Sequence, residues 1–311
     1  MGQTSSRPPP VLTAPMITKT YIDPLSCSYA KPTWKDMAIC FVYFNPANSK
    51  RMLMNYLYTV EKLRLAGIPY YTLELVFSKP EIADAFHVRG SSILFHKERL
   101  CKLLERRVPW RFSKLLFLDA DIIFARPSWY SDLSRALNHY EVVHPFSTAC
   151  WLDATYKEVY DERLSVLFMD RKKPYNPAYH PGFGWAFRRS WFRRNGFFEY
   201  GITGSGDTLS AAAWLGTEFV PTYLKTALKP AYMEYKKSPR PSIGCIEGTI
   251  YHLWHGSRKN RKYQERHLIL DGVEDVRAIL KDNRDGVFEV SDNVVRDKLM
   301  IYFKERDDDG F

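Results

Sequence analysis

Asp119 and Asp121 stand one residue apart within the apolar run 114–124, KLLFLDADIIF. A carboxylate there is costly unless it is partnered, because an unpaired buried charge forfeits on the order of several kcal/mol of solvation. If extended geometry persists, a spacing of two turns both side chains to the same side. The pair could then share one divalent cation through hard oxygen ligands, and that cation could neutralise a diphosphate. The plain alternative is a strand that ends in an Asx turn.

Two further segments carry chemistry. His252 and His255 lie three residues apart in YHLWHG, beside the basic stretch SRKNR. An imidazole could complete a metal shell while the neighbouring cations hold a departing diphosphate. A surface histidine pair next to a solvated basic stretch would look the same. The segment 181–189, PGFGWAFRR, precedes Gly204-Ser205-Gly206-Asp207. Its glycines permit close backbone approach to a ligand, and the faces of Phe183 and Trp185 suit the C–H surface of a sugar, unless they are core aromatics around a turn. Asp207 could be a helix N-cap, or a general base that takes a proton from an acceptor hydroxyl.

These residues need a scaffold. Residues 37–44 (MAICFVYF) form an unbroken apolar run of strand length that Asn45-Pro46 ends. Helical spacing follows over 48–65, with Gly67 and Pro69 as the stop, then a second strand at 70–77 and a second helix at 93–106 that carries Lys97. Residues 114–124 make a third strand. This β-α-β-α order implies an α/β fold: a mostly parallel sheet flanked by helices, with ligands beyond the carboxyl ends of the strands, where the two aspartates fall.

The later half is less regular, with a strand at 141–146 and an Ala-rich helix at 208–215. Residues 1–34, rich in Pro, Ser and Thr, read as an extended tail, and Asp307-Asp308-Asp309 as a solvated terminus. The chain divides into this tail, a single domain over 35–285 and a C-terminal extension over 286–311. Within the domain, 35–130 is a nucleotide-binding half and 131–285 an irregular acceptor and catalytic half.

With 311 residues, 45% hydrophobic content, 16 Gly and 19 Pro, the chain is neither disordered nor a low-complexity scaffold. Its net charge of +10 comes without zinc-finger spacing or a reading element for nucleic acid, so an anionic small substrate fits better. Five cysteines, an odd number scattered along a long chain, fit free thiols in a reducing compartment. No window reaches the ~18–20 apolar residues of a membrane span, and MGQTSSRPPP lacks a signal-peptide core, which points to the cytoplasm. Gly2 and Ser6 match the M-G-x-x-x-S acylation pattern, so N-myristoylation at Gly2 would give weak peripheral membrane association.

Taken in order, FVYFNPAN, FLDADIIF, HPGFGWAFRR, GSGD and HLWHGSRKNRKYQERH resemble the metal-dependent GT-A glycosyltransferases over about residues 37–270. The look is nearest to those encoded by chloroviruses, large DNA viruses of algae. The resemblance implies a Rossmann-like GT-A sheet, a UDP-sugar donor, Mn²⁺ or Mg²⁺, and transfer to a hydroxyl of a glycan or glycoprotein acceptor. If the source is viral, the setting is the host cytoplasm. Position by position, it implies Phe44, Asn45, Lys97, Arg258 and Lys259 at the nucleotide, and Asp119, Ala120 and Asp121 at ribose and metal. His255, ahead of His252, would be the C-terminal metal ligand. Gly182, Phe183, Gly184 and Trp185 would meet sugar and acceptor, and Asp207 would match the base of inverting members.

Two departures bear on stereochemistry. Inverting relatives often pair two acids where this chain has Gly206-Asp207, and H-x-x-x-G-x-x-K from His252 is similar to the retaining, glycogenin-like group. A carboxylate where a base is needed favours inversion. A nucleotidyltransferase would have a glycine-rich basic loop where FNPANSKR stands. A catalytically inert carbohydrate-binding protein on the same fold is the remaining alternative.

Overall fold

In the computed structural model, which describes residues 23–217, 224–257, 259–263 and 265–309, the first apolar run forms β1 (Met37–Tyr43), buried at every position but Val42. Ser49 then opens α1 (Lys50–Ala66) by accepting from the Met52 amide, and Gly67, at φ 64°, closes it. Next come β2 (Tyr70–Val76), β3 (Phe86–Arg89), α2 (Lys97–Glu105), β4 (Lys114–Leu118), β5 (Ile122–Phe124) and α3 (Trp129–Ala136). The middle of the chain supplies β6 (Val142–His144), β7 (Thr148–Leu152), β8 (Val159–Ser165), β9 (Tyr179–His180) and β10 (Gly184–Arg188). Then follow α4 (Arg189–Asn195), α5 (Gly206–Leu215), α6 (Lys229–Tyr235), β11 (Ile243–Cys245), β12 (Thr249–His252), β13 (Leu280–Asp282), β14 (Phe288–Val290) and α7 (Asn293–Glu305).

Seven strands make one sheet in the order β11-β6-β10-β4-β1-β2-β3, in which β10 alone runs antiparallel to its neighbours. Helices flank this mostly parallel sheet, as the alternation of apolar runs predicts. Strand alternation assigns side chains to two cores: Leu115 and Phe117 of β4 pack with Leu100 and Leu104 of α2, while Leu116 and Leu118 pack with Val60 and Leu63 of α1. Burying each such side chain stabilises the fold by about 1.5–3 kcal/mol.

The run 114–124, expected as one strand, is two. β4 belongs to the large sheet and β5 to a five-stranded sheet ordered β5-β12-β7-β8-β9. Between them the Asp119 amide donates to the Phe183 carbonyl at 2.8 Å, and the Asp121 carbonyl accepts from the Leu253 amide at 2.8 Å. The chain therefore turns from one sheet into the other at the aspartates, and the expectation that both side chains share a side lapses with the strand.

Both termini depart from the sequence reading. Cys27, inside the expected tail, is buried with Ile123, Cys150 and Tyr251, and the Tyr29 hydroxyl accepts from the Phe124 amide. The acidic terminus is not simply solvated. Asp309 accepts from Ser49 Oγ (2.6 Å), Lys50 N (3.0 Å) and Arg51 N (2.9 Å), because the first turn of α1 has amides without helical partners and a positive end. β14 pairs with β13 across residue 285, and α7 buries Val295, Leu299, Tyr302 and Phe303, so residues 286–309 belong to the same body. Among the described residues no helix is long and apolar enough to cross a membrane. Gly2 lies outside the described residues.

Candidate active site

A cavity of about 420 Å³, large enough for a small-molecule substrate, opens where β1, β4 and β12 end and α2 and α5 begin. The turn after β4 sends its two acids in different directions. Asp119 Oδ1 lies 2.5 Å from Lys97 Nζ, the first residue of α2. Asp121 Oδ2 lies 2.8 Å from His255 Nε2 and 3.5 Å from His252 Nε2. One aspartate is matched to an ammonium and the other to two imidazoles.

One ligand atom each from Asp121, His252 and His255 lies within 4.8 Å of the others, so these three can hold a cation. Asp121 Oδ1 is buried without a hydrogen-bond partner among the described residues, a condition that a bound ion would relieve. One carboxylate with two imidazoles suits a first-row transition metal ion better than Mg²⁺, which takes oxygen ligands. Asp119, expected as a ligand, stands outside this group because Lys97 holds it. His252 is brought in beside His255, its ring stacked on Phe183 at 4.8 Å between centroids.

Charge at the site is closely balanced. Burial opposes ionisation of Asp121, but the imidazoles of His252 and His255, with Arg261, outweigh it and hold its carboxyl well below the usual range. Burial raises Asp119, and the charge of Asp121 adds to it against the pull of Lys97. Glu98, the neighbour of Lys97, is pushed up to about 8 by burial and by the charge of Asp207. Its carboxyl packs against Gly206 at the start of α5.

Asp207 is not the N-cap of α5. Ser205 takes that place at φ 66°, a left-handed conformation that costs a non-glycine residue about 1–2 kcal/mol. His267 helps to hold it, with Nε2 3.2 Å from Ser205 Oγ and Nδ1 2.9 Å from Thr203 Oγ1. Asp207 follows in the first turn, its side chain 25% exposed. Oδ1 accepts from the Thr208 amide at 2.7 Å, while Oδ2 lies 4.0 Å from Lys97 Nζ. Gly182 faces it: a Cβ there would sit 2.8 Å from Asp207 Oδ2 and 2.9 Å from His180 Nε2.

Phe44, Lys97, Asp119, Ala120, Asp121, Phe183, Asp207 and His255 all line the cavity. Other expected residues do not. Trp185 is 1% exposed, donates to the Pro181 carbonyl and stacks on His144, so it is core and offers no face to a sugar. Gly184 is locked in β10 against Phe117 and Leu118. Asn45 is spent on the entry to α1, donating to Glu81 and the Ser49 carbonyl and accepting from the Ser49 amide. Lys259 is exposed away from the cavity, and Arg258 lies outside the described residues.

The basic side chains that do reach the cavity are Arg261, Arg266 and Arg306, with Lys97 and Arg163. Arg261 Nη2 donates to the His255 carbonyl at 2.9 Å. The sequence reading missed Glu98, His180, Arg266, Arg306 and Asp308 as cavity residues. One signal was available: Glu98 lies four residues after Leu94 on the apolar stripe of its segment, where a carboxylate needs a reason.

No family model matches the chain, and no curated protein matches it in sequence. Among solved structures it is similar to the catalytic domain of Drosophila β1,4-galactosyltransferase 7 in complex with xylobiose, at 10% identity and TM-score 0.40, covering 83% of this chain and 95% of that one. It is also similar to glucosyl-3-phosphoglycerate synthase of Mycobacterium tuberculosis, at 11% identity and TM-score 0.38, covering 80% and 89%.

Proposed function

We propose that this chain is a Mn²⁺-dependent glycosyltransferase of the GT-A type that moves a sugar from a UDP-sugar to a hydroxyl of a glycan acceptor, with inversion at the anomeric carbon. One observation carries the reading. A single cavity holds a carboxylate with two imidazoles suited to a cation, and also a second carboxylate, Asp207, with one oxygen left for an acceptor.

Asp121, His252 and His255 would hold the cation, which when bound supplies positive charge to a diphosphate leaving group. Arg261 and Arg266 add donors for the same oxygens. Phe44, set edge-on to His96 and Phe303, offers an apolar wall for a nucleobase. Asp207 Oδ2 takes the acceptor proton as the hydroxyl oxygen attacks. Lys97 offsets the charge of Asp119 beside it, and a protonated Glu98 adds no further negative charge next to Asp207.

The test is UDP release from a panel of UDP-sugars with Mn²⁺, followed by NMR of the product anomer. Asp207→Asn should lower transfer by about 10²- to 10⁴-fold and leave UDP binding intact. Release of pyrophosphate instead of UDP would replace this reading with nucleotidyl transfer.

A further inference from the structure

Asp207 follows a short turn that a buried histidine holds shut. His267 is 1% exposed, within the 3-10 helix Glu265–Leu270, and its ring bridges two hydroxyls: Nδ1 is 2.9 Å from Thr203 Oγ1 and Nε2 is 3.2 Å from Ser205 Oγ. We infer that His267 is a positioning residue: by gripping Thr203 and Ser205 together it fixes the start of α5 and so aims Asp207 Oδ2 into the cavity. This deepens the transferase reading above and rests on it.

Three observations support it. First, Ser205 stands at the N-cap of α5, where a serine ordinarily accepts from an amide two or three residues on, yet among the described residues its side chain makes no capping bond and its φ is 66°. The residue gives up a cap and takes a left-handed backbone, and what it gains is an Oγ turned to His267. Second, the turn is tightly wound and pressed by the same segment. The Gly204 amide donates to the Gly201 carbonyl at 2.7 Å, a Cβ on Gly201 would sit 3.0 Å from the Gly206 nitrogen, and one on Gly204 would sit 2.5 Å from Arg266 Nη2. Arg266 Nη2 also reaches Ser205 Oγ at 3.4 Å. Third, the bridge suits a neutral ring. One imidazole nitrogen donates and the other accepts, and each hydroxyl can turn to supply the opposite role. Burial and the charges of Arg266 and Lys225 push the His267 imidazole down to about 4, which keeps it neutral.

The test uses the full chain with Mn²⁺ and the UDP-sugar that the panel above selects, and reads kcat, donor KM and Mn²⁺ affinity. His267→Ala should lower kcat by up to about 100-fold, the loss expected when a reacting group is misplaced by about 1 Å, with donor KM and Mn²⁺ affinity unchanged. His267→Gln, whose amide reaches the place of Nε2 and can rejoin Ser205, should recover more of kcat than His267→Asn, whose amide reaches only the Thr203 side. Ser205→Gly separates aim from stability and keeps the test open if His267→Ala folds poorly. Glycine takes φ 66° without strain, so the lost bond and the relieved backbone oppose each other and the melting temperature should stay near that of wild type while kcat falls. A Ser205→Gly chain that keeps the wild-type kcat, or a loss of Mn²⁺ affinity in step with kcat, overturns this inference alone. A wild-type chain that releases no UDP from any UDP-sugar overturns the transferase reading and this inference with it.

Discussion

Lys97 Nζ and Asp119 Oδ1 are 2.5 Å apart at the mouth of the cavity, their side chains 25% and 30% exposed. The pair is what allows a second carboxylate to stand next to Asp121. Lys97→Met should lower stability by about 1–3 kcal/mol at pH 8, below the cost of breaking a fully buried pair because solvent still reaches both groups. The loss should shrink toward pH 5, since an Asp119 carboxyl raised further by losing its cation is stable when protonated and penalised as pH rises. Urea unfolding at the two pH values measures this, and an equal loss at both would sink the idea.

The aspartates should be unequal. Asp121→Asn should abolish Mn²⁺ binding, whereas Asp119→Asn should keep it within about tenfold, because Asp119 stands outside the ligand group. In wild type, Mn²⁺ at about 100 times its Kd should stabilise the fold by about 2.7 kcal/mol, and a chelator should remove that gain. Mg²⁺ at the same concentration should give less. Thermal shifts with each ion check all of these outcomes.

Two buried groups give opposite pH slopes. Glu98 rises from 4.5 to about 8 on folding through burial and the charge of Asp207, so the folded chain binds the extra proton between those values. Its contribution is full below pH 4.5 and is lost as pH climbs toward 8. His144 is lowered by burial from 6.5 to about 3 while bonded to Ser165 and Gly182, so the unfolded chain binds the extra proton and stability falls as pH drops below 6.5. Glu98→Gln should flatten the stability profile between pH 6.5 and 8, steepen it between pH 4.5 and 6.5 where the two slopes oppose each other, and leave it as it was below pH 4.5.

Gly182→Ala should cut turnover without changing Mn²⁺ affinity, since the atoms nearest the added methyl belong to Asp207 and His180 and not to Asp121, His252 or His255. Steady-state kinetics beside metal titration separates the two effects. A parallel loss of metal binding would place the damage elsewhere.

Trp185→Ala should unfold rather than blunt. Removing a fully buried indole that packs on His144 and Trp214 costs about 3–5 kcal/mol. Trp185→Phe, milder, should lower the melting temperature while leaving the KM for donor and acceptor unchanged.

The β-α-β-α order, the parallel sheet and the place of the aspartates were legible because apolar runs and helix stops are local signals. The break at Asp119 was not, because it is made by Phe183 and Leu253, residues about 60 and 130 positions downstream. Phe183 and Trp185 look alike in sequence, yet Phe183, which precedes β10 at φ 75°, packs in one core and lines the cavity, while Trp185, inside β10, is buried in the other core. The basic run after His255 showed that cations were near. Which of them turned inward, Arg261 and Arg266 and not Lys259, depended on long-range packing.

The bond from Ser49 Oγ to Asp309 joins positions 260 residues apart. The large sheet can therefore assemble while the amides at the head of α1 still wait for their acidic partner. Contacts of such long sequence separation form late and slowly.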